Sequence, residues 1–225
     1  MRECNLGSCS ESMWIAGQHQ WELSSRSLLM AIVNVTPDSF SDGGRFSSQE
    51  QTIMEGLSMV DEGADILDVG GESTRPGAKP VSVEEELSRV VTVIGALARQ
   101  SPVAISVDTS KPEVAARAVE AGASIVNDVT GLTHPKMLEF CAGNDCGVVV
   151  MHMKGTPETM QSQARYEDVV SEMQDFFHER YETLTEAGIA PARIVFDPGI
   201  GFGKTLEHNL TLLSRVEELR VKERP

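Results

Sequence analysis

The sequence predicts an α/β protein of the TIM (β/α)8-barrel type, on three observations. From residue 28 onward, six short apolar runs alternate with six longer amphipathic segments. The runs are rich in Ile, Val and Leu without polar alternation, the pattern of parallel strands covered on both faces. Polar residues recur at or just past the run ends, as Asn34, residues 68–75, Asp108, Asn127, His152 and Asp197. In a barrel such positions converge on the C-terminal face, whereas an open doubly wound sheet gathers them at one crevice.

Taken in order, residues 1–12 read as a disordered tail and 13–27, with a turn at Ala16-Gly17, as a hairpin capping the barrel from below. Residues 28–225 form the barrel. Its strands are expected at 28–35, 65–69, 103–107, 124–127, 147–151 and 193–196, and its helices at 49–62, 83–99, 112–121, 135–142, 166–187 and 206–219. Pro112 suits a first helical position, where its missing N–H is no loss, and Gly63, Gly122 and Gly188 suit helix C-termini. Glu85 and Glu86 follow Ser82 into a first turn, where the helix dipole favours carboxylates. Eight βα units need about 250 residues, so the expectation is about six of eight units, incomplete at the C-terminal side.

Bulk properties narrow the function. A chain of 225 residues with 40% hydrophobic content can bury one sizeable core. Its 34 acidic and 19 basic residues give a net charge of -15, which disfavours nucleic acid and anionic membranes as partners. An anionic substrate would need local cations or a metal. Cys4, Cys9, Cys141 and Cys146 lack CxxC spacing and are expected as free thiols in a reducing cytosol. The N-terminal residues lack a signal-peptide pattern and no run is long enough to span a bilayer; a cytoplasmic location is expected.

The strand-end residues carry the chemistry. Asn34 offers an amide oxygen, a hard ligand suited to Mg²⁺. Residues 36–44 form a long polar loop with one aromatic, Phe40, as mobile binding loops do. Gly70-Gly71 permits close backbone approach, and Thr74-Arg75 sets a hydroxyl and a guanidinium beside it, suited to a carboxylate or phosphate. Asp108, Asn127 and Asp197 together can accept several N–H donors, as a planar amino-substituted heterocycle presents; metal binding and helix capping are alternatives. Asp197 precedes Pro198-Gly199, which suits capping less. Gly203-Lys204-Thr205 looks like the end of a P-loop, but Pro198 stands where the first glycine is required. Backbone N–H groups of residues 201–204 remain available to a site. The five histidines, His152 among them, show no paired metal-ligand pattern.

The stretches 34–44, 70–77, Val107-Asp108-Thr109, Asn127-Asp128, Met151-His152-Met153 with Gly155-Thr156-Pro157, and 197–204 resemble, in order, the motifs of the dihydropteroate synthase family. The likeness runs from about residue 13 to the end. It implies a pterin-binding TIM barrel, a transferase of folate biosynthesis and a sulfonamide target. The substrates would be (7,8-dihydropterin-6-yl)methyl diphosphate and 4-aminobenzoate. By that resemblance Asp108, Asn127 and Asp197 hold the pterin with Met151 packed nearby, and Thr74 contacts the same substrate. Asn34 binds Mg²⁺, and Phe40, Arg75 and Pro76 belong to loops closing over 4-aminobenzoate, with Asp108, Asp197 and Arg75 as the catalytic group. A homodimer is implied as well. The family's Lys after a seventh strand and Arg-x-His after an eighth have no counterpart within the 225 residues, and Ala31 and Ala164 replace its usual Gly and Pro. Two other readings stand beside it at this point: a non-catalytic pterin-binding remnant, and a pterin-dependent methyltransferase domain.

Overall fold

The computed structural model describes residues 13–24, 26–35, 45–75, 77–222 and 224–225. The tail at 1–12, with Cys4 and Cys9, the loop at 36–44 and Pro76 lie outside the described residues. Two sheets form. β1 (Met13–Ala16) and β2 (His19–Glu22) pair as an antiparallel hairpin. β3 (Met30–Asn34), β4 (Ile66–Gly70), β5 (Ala104–Asp108), β6 (Ile125–Asp128), β7 (Gly147–Met151) and β8 (Ile194–Asp197) pair in parallel and in unbroken chain order. A doubly wound sheet reverses its order at a switch point. This sheet has no reversal, so it is the wall of a barrel. Between the strands run α1 (Arg45–Asp61), α2 (Val83–Gln100), α3 (Pro112–Ala121), α4 (Pro135–Ala142) and α5 (Val169–Glu186), and α6 (Leu206–Ser214) follows β8.

The strands are apolar on both faces because both are covered. Every residue of β4 and β7 is buried. Leu67, Val69, Val107, Val126, Val148 and Val150 pack with the helices' Val90, Val93, Ile94, Val114 and Phe177 in one core. A smaller cluster of Ile66, Ala104, Ile125 and Val149 closes around Trp14 and Ala16 of the hairpin. The hairpin plugs the N-terminal end of the barrel: Trp14 Nε1 donates to the Arg193 carbonyl at 3.2 Å and Gly17 N to the Asp145 carbonyl at 2.8 Å. A Cβ on Gly147 would lie 2.7 Å from the Ala16 Cβ, so only glycine lets the plug seat against β7.

Three helix boundaries differ from expectation by three residues or more. Helix α1 begins at residue 45 rather than 49. Helix α5 begins at Val169, not 166, because the Asp168 carboxylate accepts from the N–H groups of Val170 and Ser171, both at 2.9 Å, and caps it there. The segment after β8 is not one helix: α6 ends at Ser214, Arg215 leaves helical geometry, and a 3-10 turn covers Val216–Leu219. Tertiary anchors set that break, since Leu219 is buried and Gln174 Nε2 donates to the Glu218 carbonyl at 2.7 Å. Helix α2 starts as expected, with the Ser82 hydroxyl accepting from Glu85 N at 3.1 Å.

The fully buried Glu86 on α2 shares the Lys111 ammonium with Glu72 from the loop after β4. This bridge ties the β4 and β5 loops to the barrel's outer layer. Removing the cation would leave a carboxylate buried without a counter-charge. Lys111→Met is therefore expected to cost about 3 kcal/mol in urea unfolding at pH 7, and Glu86→Gln in the same background should recover part of it.

Candidate active site

Register builds the site. Asn34 pairs with Gly70, Gly70 with Asp108, and Asp108 with Asn127, so four strand ends lie in one cross-strand row. Asp197 pairs with Met151 across β7 and β8. A cavity of about 430 Å³ opens at this end, lined by Asn34, Thr74, Arg75, Asp108, Asn127, Met151 and Asp197. Every expected site residue within the described part of the chain is on that wall, together with Asp68, Ser73 and Phe202. Phe40 and Pro76 lie outside the described residues.

Capping roles fall elsewhere. Helix α3 is entered through Lys111 without a side-chain cap, while Thr109 Oγ1 accepts from Lys111 N at 3.2 Å; Asp108 is not its cap. The turn after β6 is made by Asp128, whose carboxylate accepts from Thr130 N at 2.8 Å and Leu132 N at 3.2 Å. That leaves Asn127 to face the cavity. Asp197 does form a local turn, accepting from Gly199 N at 2.7 Å through one oxygen. The N–H of Gly201 is not available to a ligand, because it donates to Asn209 Oδ1 at 2.9 Å.

Asp68 and Lys204 fall within the stretches 68–75 and 197–204 that the sequence marks, but their individual roles come only from the structure. Asp68 sits in mid-strand, 5% exposed, and its Oδ2 accepts from Asn127 Nδ2 at 2.9 Å. The signal was present: one carboxylate interrupts the otherwise apolar run of β4. Lys204 is buried, and its ammonium contacts His152 Nδ1 at 3.2 Å and the carbonyls of Phe202, Gly199 and His152 at 3.0, 3.1 and 3.3 Å. Burial lowers Lys204 to about 8, with the charge of Asp197 working the other way. Burial and then Lys204 lower His152 to about 4, so the imidazole is neutral at pH 7 and its Nδ1 accepts. The pair clamps the loop after β8 to the end of β7.

The cavity wall is rich in unused acceptors. Buried Asp68 Oδ1 and Asn127 Oδ1 have no protein partner. Burial raises Asp108 well above the usual carboxylate range, and the neighbouring Asp68, Asp128, Glu86 and Glu72 raise it further. Burial also raises Asp68, Asp128 and Asp197. Such a wall fits a ligand that brings several N–H donors, which would satisfy the orphaned oxygens and relieve the carboxylates' mutual repulsion.

Comparison with known proteins agrees in sequence and in shape. The family model described as "Pterin binding enzyme" matches residues 30–225. Dihydropteroate synthase of Escherichia coli (strain K12) is 50% identical over 190 residues, spanning 84% of this chain and 67% of that protein. The Synechocystis enzyme of the same name is 44% identical over 205 residues, 91% of this chain and 71% of its own length. The crystal structure of Yersinia pestis dihydropteroate synthase with a sulfonamide drug complex superposes with a TM-score of 0.87 at 44% identity, covering 95% of this chain and 77% of that one. The Xanthomonas albilineans enzyme with 4-aminobenzoic acid gives 0.85 at 46% identity, covering 92% and 74%.

Two outcomes follow from the geometry. Because folding raises the Asp108 pKa, native protein holds that proton more tightly than unfolded chain. Its contribution to stability therefore falls as pH rises from the ordinary carboxylate range toward the raised value. Asp108→Asn should unfold at higher temperature than the parent at pH 8, by about 0.5–2 kcal/mol in stability, with the difference shrinking at pH 4. Gly199 has φ +62°, and a Cβ there would lie 2.2 Å from the His152 carbonyl oxygen. Gly199→Ala should displace the Asp197 turn and weaken ligand binding at the cavity at least about tenfold in titration calorimetry.

Proposed function

The chain belongs to the dihydropteroate synthases of the pterin-binding enzyme family, and from that membership we propose how its residues divide the reaction. The family's reaction condenses (7,8-dihydropterin-6-yl)methyl diphosphate with 4-aminobenzoate, giving 7,8-dihydropteroate and diphosphate in folate biosynthesis. The observation that carries the assignment is the acceptor wall of Asp68, Asp108, Asn127 and Asp197. A dihydropterin ring presents ring and exocyclic N–H groups along one edge, which that wall can receive.

In this proposal Asp108, Asn127 and Asp197 hold the ring, Asp68 orients the Asn127 amide, and Met151 packs nearby. As diphosphate departs, positive charge grows on the pterin methylene, and the buried carboxylates stabilise it more strongly there than in the ground state. The arylamine of 4-aminobenzoate then attacks the methylene carbon; its lone pair needs no strong base to free it. Thr74 contacts the diphosphate and Arg75, exposed at the cavity rim, pairs its guanidinium with the aminobenzoate carboxylate. Phe40 and Pro76 belong to the loops that would close over the second substrate and exclude competing water.

Asn34 would hold Mg²⁺. Its amide is a hard donor on the cavity wall. That suits an ion completed by diphosphate oxygens. When bound, it would supply charge neutralisation for the leaving group. A cytoplasmic setting goes with the free, buried Cys141 and Cys146. Self-association goes with Leu206, Leu210 and Leu213, exposed at helical spacing on α6.

The test is direct. The chain is expected to bind a pterin by titration calorimetry and to form dihydropteroate from the two substrates, with EDTA abolishing turnover and Mg²⁺ restoring it. Asp108→Asn and Asp197→Asn should each lower kcat/KM by about 10²–10³, and Arg75→Ala should act mainly on KM for 4-aminobenzoate. Pterin binding without turnover would overturn the transferase role for this chain, and absence of both would overturn the site.

A further inference from the structure

At the opposite end of the barrel a second group of reactive side chains plays no part in this chemistry. Cys141 lies in the last turn of α4 and Cys146 directly precedes β7; both are buried and unbridged. Between them sits Arg193. Its Nη2 donates to the Cys141 carbonyl at 2.6 Å, its Nε to the Cys146 carbonyl at 2.8 Å, and its Nη2 also lies 3.9 Å from Cys146 Sγ. Arg193 as a whole is only 8% exposed, and among the described residues no carboxylate is in ion-pair range of its guanidinium. Carbonyl oxygens satisfy its hydrogen bonds but bring no counter-charge. A buried cation needs an anion nearby, and the group placed to become one is the Cys146 sulfur.

We propose that Cys146 and Cys141 form a thiol modification site, in which Cys146 reacts first with peroxides or soft electrophiles and Cys141 then resolves it to a disulfide. Three features support this division of roles. Its interaction with the neighbouring Cys146 sulfur, and its burial, push the Cys141 thiol up, so it keeps its proton. The same interaction, together with the Arg193 guanidinium 3.9 Å from Cys146 Sγ, holds Cys146 below the usual thiol range against the effect of burial. Access comes from a hollow of about 630 Å³ between the hairpin turn and the loops before β5, β6 and β7, lined by Cys146 with His19, Ser124 and Asp145. The charged or titratable groups that bear on the pair are thus Arg193, Asp128 (which acts on Cys141), and His19 and Asp145 across the hollow. Burial lowers His19, so it carries no charge to compete with Arg193 at pH 7.

The chemistry balances. The Cys146 thiolate attacks one oxygen of hydrogen peroxide, the O–O bond breaks, and hydroxide leaves a sulfenic acid on Cys146. The Cys141 thiol attacks that sulfur, the S–S bond forms, and the sulfenic oxygen leaves as water. Two thiols are oxidised to a disulfide while one peroxide is reduced to two waters.

The experiment uses the full chain with Cys4→Ser and Cys9→Ser, probed natively by hydrogen peroxide and iodoacetamide and read by peptide mass spectrometry. Cys146 should be alkylated at least about tenfold faster than Cys141 at pH 7. Peroxide should close a 141–146 disulfide, with Cys141→Ser trapping a dimedone adduct at Cys146 and Cys146→Ser leaving Cys141 unmodified. The proposal is overturned if both thiols react at the same rate, if Cys141 reacts first, or if neither reacts until urea unfolds the chain.

Discussion

The parallel register of the six strands is the constraint on which the remainder rests. Because side chains alternate faces along a strand, sliding any one strand by a single residue would turn its inward set outward. The row running from Asn34 through Gly70 and Asp108 to Asn127 exists only in this register. The apolar residues behind it hold that register, since Val69, Val107 and Val126 are buried in the same strands. Packing and chemistry are thus specified together: the contacts that make the core cohesive also decide which oxygen atoms meet at the mouth.

What meets there is costly. Several buried carboxylates with raised pKa values share one cavity wall in a chain of net charge -15. The surroundings offset this only in part. Lys204 brings a cation behind Asp197, but its donors go to His152 and three carbonyls, so it braces the loop and tempers the field without pairing with the carboxylate. Lys111 is committed to Glu72 and Glu86. The remaining oxygens face the cavity unsatisfied, an arrangement that sacrifices stability for readiness to receive a donor-rich ring.

Much of this is legible in the amino-acid sequence. The six apolar runs and the polar residues at their ends carried the barrel, because two-sided burial leaves a plain compositional mark. Asp108, Asn127 and Asp197 stood out because a hydrophilic residue at the tip of such a run has few structural uses. Asp68 was harder to see, since alternation along β4 must be known before a mid-strand position can be assigned to the cavity. Lys204 was hidden for a different reason: its surroundings in sequence suggested a phosphate loop, and its real partners, His152 and three backbone carbonyls, are a tertiary product. The early end of α6 was likewise invisible, as the break at Arg215 is set by contacts with α5 and the core rather than by local propensity.

The hairpin that plugs the barrel is joined to its seat across most of the polypeptide. Trp14 donates to the carbonyl of Arg193, 179 positions away, and Arg224 reaches back to the carbonyl of Met13 across 211. On a ribosome, the hairpin emerges long before these partners. At ordinary elongation rates of 5–20 residues per second the delay is about ten to forty seconds. Through that interval the pocket around Trp14 and Trp21 lacks Val149 and Val195, and their partial exposure makes the nascent chain a natural client for holding factors until β7 and β8 arrive.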